Sequence, residues 1–423
     1  MPLNTQSVRA KFPALHQNAV AGVHPVFFDN PAGTQVPQTV IDAVADYYTH
    51  RNANTGGQFV TSNRSDAMAA AVRQTVADFL HANSADEIAF GPNMTTLNFG
   101  LSRALARTLK PGDEIVLTYM DHDANVTPWT RIAEDHDLVV RWVTINKEDC
   151  TLDIGSLEGA LTDRTKIVAT VHASNAVGTI NPVRQIAEMA HAAGAYYVVD
   201  AVQSAPHIPI DVQAIGCDFL LCSAYKFFGP HVGMLWGKHD LMAQLPVYKV
   251  RPAKDLTPYR WETGTPNFEG IAAVGAALDY IAGLGRDYGQ DYAAQAAGYQ
   301  GKVRDLKLGL AAIRATEQDL VGHLLTMLAG FAGLTVYGIT DLDRLDERVP
   351  TVAFALEGHT SHEVAAHLGK NHIFVWSGDY YAVEIMKQLG YEETGLLRVG
   401  LAHYNTHEEI DRLESVLKQL VNQ

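Results

Sequence analysis

From residue 86 onward the chain alternates short apolar runs with helical segments, and this alternation limits the possible folds more than any other feature. The runs are EIAF (87–90), EIVLTY (114–119), LVVRWVTI (138–145), KIVATVH (166–172), YYVVD (196–200) and DFLLCS (218–223). Strands separated by helices join through right-handed crossovers into a mostly parallel sheet covered on both faces. The expected fold class is therefore α/β. In such sheets a ligand lies beyond the carboxyl ends of the strands, which directs attention to the residues just after each run.

Those residues are chemically loaded. After EIAF, Asn93-Met94-Thr95 leads into a helix whose free N–H groups and threonine hydroxyls suit a phosphate, although Thr95 would equally serve as a helix cap. After EIVLTY comes His122, either a ring to stack on a planar cofactor or a polar loop residue. Asn175 brings an amide after KIVATVH. Asp200 closes YYVVD, with Gln203 behind it, and a carboxylate ending so apolar a strand needs a partner. Ser223 closes DFLLCS, then Tyr225-Lys226 precedes a second apolar run, Val232 to Trp236. A lysine between two such runs either snorkels to water or is an amine whose desolvation frees it to form a Schiff base with a carbonyl cofactor. A phosphate cradle, a stacking ring, an amide, a carboxylate and a lysine at the strand ends of one sheet are together the inventory that pyridoxal 5'-phosphate requires.

The whole-chain numbers narrow the function classes. With 423 residues, 47% hydrophobic and 19% charged, the chain has the composition of a soluble globular protein with length for two domains. Its formal charge of −15, from 32 basic and 47 acidic side chains, argues against a nucleic-acid or anionic-membrane surface and still allows a local basic pocket. MPLNTQSVRAKF lacks the apolar core of a signal peptide, and no run of about 18 apolar residues appears. Cys150, Cys217 and Cys222 have no metal-type spacing. Cys217 and Cys222 read as buried hydrophobes, and a reducing cytoplasm is the expected location. The eighteen histidines are scattered, so no metal is expected. The expected organisation is an N-terminal segment, 1–26, packed with the small domain; a large cofactor-binding domain, 27–268; and connecting helices with a small α+β C-terminal domain, 269–423. Thr360 with Glu363 and Thr406 with Glu409 read as capping boxes.

Over nearly its whole length the sequence resembles the class V aminotransferase family of fold-type I pyridoxal-phosphate enzymes, and within it the cysteine desulfurase and selenocysteine lyase branch. The resemblance runs from VFFDNPAGTQVPQ through DHDANVTPW, HASNAVGTINP, VVDAVQ, CSAYKFFGPHVG and WETGTPN to LRVGLAHYNTHEEID. It implies a large domain on a mostly parallel sheet of the seven-stranded type and a smaller α+β domain. It further implies that Lys226 of the S-x-x-K motif carries the Schiff base, and that Asp200 and Gln203 of D-x-x-Q serve the ring nitrogen and ring oxygen. His122 would stack on the ring and Asn175 would lend its amide. Asn93, Met94 and Thr95, with Ser223 and Tyr225, would hold the phosphate. Thr265 of G-T-P would reach the phosphate of a neighbouring subunit, implying an obligate homodimer. Arg398 in LLRVG would fork onto the substrate carboxylate, a charge-assisted pair worth roughly 1.5–3 kcal/mol.

The chain departs from the family pattern in three places. Tyr225 stands where a histidine often precedes the lysine. Asn93-Met94-Thr95 replaces Gly-Thr-Thr. In the loop VWSGDYY (375–381), where desulfurases carry the cysteine that takes sulfur as a persulfide, Tyr381 holds the corresponding position. Trp376 replaces the loop's arginine, and no cysteine follows Cys222. The expected enzyme lets the amine of a small amino acid displace Lys226, which then removes the α-proton while Asp200 keeps the ring nitrogen protonated. The branch points to carbon–sulfur or carbon–selenium cleavage, and the missing cysteine to lyase or elimination chemistry rather than persulfide transfer. Transamination or epimerisation of another amino acid needs the same first steps and no cysteine. Tyr380 and Tyr381 are open between an acid–base role, a pocket wall and simple packing.

Overall fold

The computed structural model describes residues 3–17 and 22–421. Its largest sheet has seven strands: β1 Ile88–Gly91, β2 Glu114–Thr118, β3 Val139–Val143, β4 Thr165–Val171, β5 Tyr196–Asp200, β6 Phe219–Ser223 and β7 Gly233–Gly237. Their spatial order is β1-β7-β6-β5-β4-β2-β3. The pairs β2–β3, β2–β4, β4–β5 and β5–β6 are parallel, and β7 runs antiparallel to both β1 and β6. The runs are apolar throughout because both faces are covered. Ile115, Leu117, Phe219, Leu221 and Leu235 point into one core, while Val116, Leu220, Cys222, Met234 and Trp236 point into the other. At Gly233 the backbone passes so close to Asn93 that an added Cβ would lie 2.3 Å from its carbonyl carbon. A side chain there would displace the turn after β1.

The second sheet is antiparallel, with β8 Leu334–Tyr337, β9 Thr351–Leu356, β10 Trp376–Gly378 and β11 Leu396–Gly400 in the order β8-β9-β11-β10. Leu397 and Val399 of β11 enter a core shared with the helices Gly301–Ala329, Ser361–Lys370 and His407–Val421. The two-residue strand period therefore sends Arg398, between them, to the opposite face. Both expected capping boxes form. Thr360 and Glu363 exchange bonds of 3.2 and 2.8 Å, and Thr406 and Glu409 two of 3.2 Å. The N-terminal strand Val26–Phe27 pairs in parallel with Ile373–Phe374.

One helix is more apolar than the run lengths in the sequence suggest. By length and a mean hydropathy of 1.3, Phe268–Ala296 is apolar enough to cross a membrane, yet 72% of its most apolar stretch is buried inside the molecule. It packs against the helices Gln38–His50, Val60–Leu80 and Gly301–Ala329. Gly309 permits the last contact, since a Cβ there would lie 2.1 Å from Ile281 O. This is a core helix.

Candidate active site

Five strand ends of the large sheet meet at two adjoining chambers, an outer one of 620 Å³ and an inner one of 50 Å³. The inner chamber is lined by Asn93, Met94 and Thr95 after β1, His122 after β2, Asn175 after β4, Asp200 and Gln203 at the end of β5, and Ser223, Tyr225 and Lys226 at the end of β6. Arg398 enters the outer cavity from β11, together with Trp376 to Tyr381. Of the residues singled out from sequence, Thr265 is the exception. It is exposed and lines neither chamber of its own chain.

Asn93, not Thr95, caps the helix Met94–Ala106, accepting from the Thr96 N–H at 2.8 Å. The Thr95 hydroxyl is thus left at the cavity, while the Met94 N–H already donates to Ser223 Oγ at 3.0 Å. Asp200 Oδ1 accepts from the Val202 N–H at 2.9 Å. Gln203 Oε1 and Asn175 Oδ1 are buried without a hydrogen-bond partner among the described residues, a cost normally removed by a ligand or water.

The charges are arranged for proton chemistry. Lys226 Nζ donates to Ala32 O at 3.1 Å and to Pro31 O, and lies over the Tyr225 ring at 4.9 Å. Burial, aided by the charge of Arg398, lowers its pKa to about 7 against the pull of Asp200. Burial raises Asp200 to about 6, opposed by the Val202 N–H and by Lys226. His122 is driven down to about 3 by burial and then by Lys226 and Arg398, so its ring is neutral. A lysine and a carboxylate pushed toward neutrality in one cleft are a recognisable active-site signature.

The loop after β10 closes one side. Tyr380 and Tyr381 both have left-handed backbone, with φ of 54° and 56°. Their carbonyls are held from the large-sheet side: Asn175 Nδ2 donates to Tyr380 O at 3.0 Å and the Asp123 N–H to Tyr381 O at 2.6 Å. The Tyr381 ring stacks on His122 at 5.7 Å, and the Tyr380 ring lies 4.2 Å from the Arg398 guanidinium. Cys150, Cys217 and Cys222 are fully buried and line neither chamber, and burial raises each thiol. Both strand-region cysteines are thus core residues, as expected.

Sequence reasoning missed Asp29, whose carboxylate is raised to about 6 by burial and feels Arg398. It also missed Asp121, the buried neighbour of His122 in sequence, which accepts from Thr118 Oγ1 and, at 2.7 Å, from Asn125 Nδ2. Phe99, on the cavity wall, sits one helical turn after Thr95. That spacing is the signal by which it was findable.

The family model for aminotransferase class-V matches residues 26–303 and 294–413. A cysteine desulfurase of Pectobacterium atrosepticum is 35% identical over 431 residues, covering 98% of this chain and 97% of that protein, and one of Yersinia pestis is 34% identical with 98% of each covered. The solved structure of a cysteine desulfurase from Thermococcus onnurineus NA1 superposes with a TM-score of 0.86 at 28% identity, covering 100% of this chain and 99% of that one. That of an Escherichia coli cysteine desulfurase gives 0.82 at 25%, with 99% of each covered. The chain belongs to the class-V aminotransferase family and, within it, to the cysteine desulfurase-like enzymes.

Proposed function

We propose that this chain is a pyridoxal-phosphate enzyme that cleaves the carbon–sulfur or carbon–selenium bond of a small amino acid without passing the atom to a loop cysteine. The observation that carries the reading is the Lys226–Asp200 pair at a cavity that no described cysteine lines. The residues suit the cofactor on their own chemistry: an inward carboxylate for a ring nitrogen, two orphaned amide oxygens, and a helix N-terminus with the Thr95 hydroxyl beside Ser223. When bound, the cofactor supplies an electron sink for the substrate's α-carbon.

In this reading Lys226 would hold the cofactor and, with its amine free, would remove the substrate's α-proton. A pKa near 7 leaves a large fraction of the amine neutral for that step. Asp200 would hold a proton at the ring nitrogen, and His122, neutral, would pack against the ring. Arg398 orients the substrate carboxylate. Thr265, exposed in one chain, would serve the phosphate of a neighbouring subunit, so the reading includes a homodimer, with the cytoplasm as its location.

With cysteine, β-elimination balances with water alone, giving pyruvate, ammonia and hydrogen sulfide. Alanine formation needs an external thiol to take the sulfur. Incubating the purified, cofactor-loaded protein with L-cysteine and identifying the products tests the reading. Pyruvate with sulfide supports elimination, and alanine with a persulfide on an added thiol supports desulfuration to an external acceptor. No turnover of either L-cysteine or L-selenocysteine overturns both. It would favour transamination or epimerisation of another amino acid, which the thiol-free cavity equally accommodates.

A further inference from the structure

The cavity wall contributed by the loop after β10 bears on Arg398 in a way the catalytic inventory leaves unused. Arg398 is buried, 4% exposed, and its described hydrogen bond runs from Nη1 to Asn175 O at 2.8 Å, while Nε has no partner among the described residues. A guanidinium so sparsely bonded needs something else to fix its plane, because an imperfectly held fork loses its bidentate geometry. The Tyr380 ring, 4.2 Å from the guanidinium carbon, supplies that surface. The ring is itself immobilised. Its hydroxyl donates to Leu396 O, two residues before Arg398 on the same strand, and its carbonyl accepts from Asn175 Nδ2. Asn175 thus touches both partners, accepting from Arg398 through its backbone and donating to Tyr380 through its side chain.

We propose that Tyr380 is a positioning residue for substrate binding, its ring holding the Arg398 guanidinium in the plane that receives a carboxylate. The loop that bears the nucleophile in desulfurases has here become part of the carboxylate clamp. The inference rests on the reading of Arg398 as the carboxylate-binding group.

Two amine reagents test it on the cofactor-loaded protein without turnover: aminooxyacetate, which carries a carboxylate, and O-methylhydroxylamine, which does not. In each case the reagent nitrogen replaces the Lys226 nitrogen on the cofactor carbon and frees the lysine amine, which the cofactor absorbance reports. The ratio of the two capture rates isolates the carboxylate contact. Tyr380→Leu is expected to lower that ratio roughly fivefold to tenfold, and Tyr380→Phe, which keeps the ring, to restore most of it. Tyr380→Met, closer in bulk, repeats the test should the leucine variant not fold. A wild-type ratio in the leucine or methionine variant would overturn the inference, as would a phenylalanine variant no better than leucine. If Arg398→Ala also leaves the ratio unchanged, the carboxylate reading itself fails. A wild-type protein whose absorbance responds to neither reagent removes the cofactor reading, and this inference with it.

Discussion

Two lysines in this molecule are drawn down to about 7 by the same cause, burial, and only one of them belongs to a site. Lys307, 2% exposed in the helix Gly301–Ala329, donates to Phe79 O at 2.9 Å and to Ile210 O, and lies over the Tyr299 ring at 5.7 Å. Its amine ties this helix to Phe79 and Ile210 in the core and lines neither chamber of the active site. Lys226 also donates to two carbonyls, yet it lines both chambers and shares the inner one with Asp200. The contrast teaches that a lowered lysine pKa records desolvation. Lys307 too feels an opposing carboxylate, that of Asp211, so it is access to the cavity that turns a lowered pKa into chemistry.

The largest effect expected is from Lys226→Ala, which should cut turnover at least roughly a thousandfold with thermal unfolding close to wild type. Normal turnover in that variant would erase the distinction between the two lysines. Lys307→Ala should do the reverse. Stability should fall by about 2–4 kcal/mol in denaturant unfolding, because Phe79 O and Ile210 O lose their donor and a void opens, while activity well below the melting range persists. The pH profile sharpens the same point. The folded pKa of Lys307, about 7, lies below its ordinary 10.5, so between these values the unfolded chain holds more protons and stability rises with pH. Below about 7 the burial penalty is complete. Lys307→Met should flatten that part of the stability curve, and an unaltered slope would mean the amine is not the group responsible.

Smaller effects separate the substrate contact from the core. Arg398→Ala should raise KM by roughly one to two powers of ten, the loss of one charge-assisted fork. An unchanged KM would move the carboxylate site elsewhere. Cys222→Ala, the thiol nearest Lys226 in sequence, should cost about 1 kcal/mol of stability and leave the product pattern with L-cysteine as it was. A changed pattern would give a buried thiol the role the cavity denies it.

Much of this site is legible in the sequence, for a local reason. His122, Asn175, Asp200 and Lys226 each closely follow or end an apolar run, and a parallel sheet necessarily gathers such ends on one edge. The helix cap is harder to read. Asn93 and Thr95 are both good capping residues, and only the backbone geometry, extended at Asn93, decides between them. The loop tyrosines stay ambiguous in the sequence because their role depends on neighbours from other elements: His122 from the turn after β2, and Arg398 from β11. Nothing in VWSGDYY names those partners.

By itself the sequence determined the fold class, the two-faced burial of the sheet and the set of reactive groups at its edge, because strand period and crossover topology are written in short-range pattern. Tertiary structure alone decided which buried lysine reaches a cavity, which tyrosine backs the arginine, and that Thr265 stands apart from the cavity of its own chain. Accessibility and ring-to-charge contacts are set by elements distant along the chain, and no local pattern encodes them.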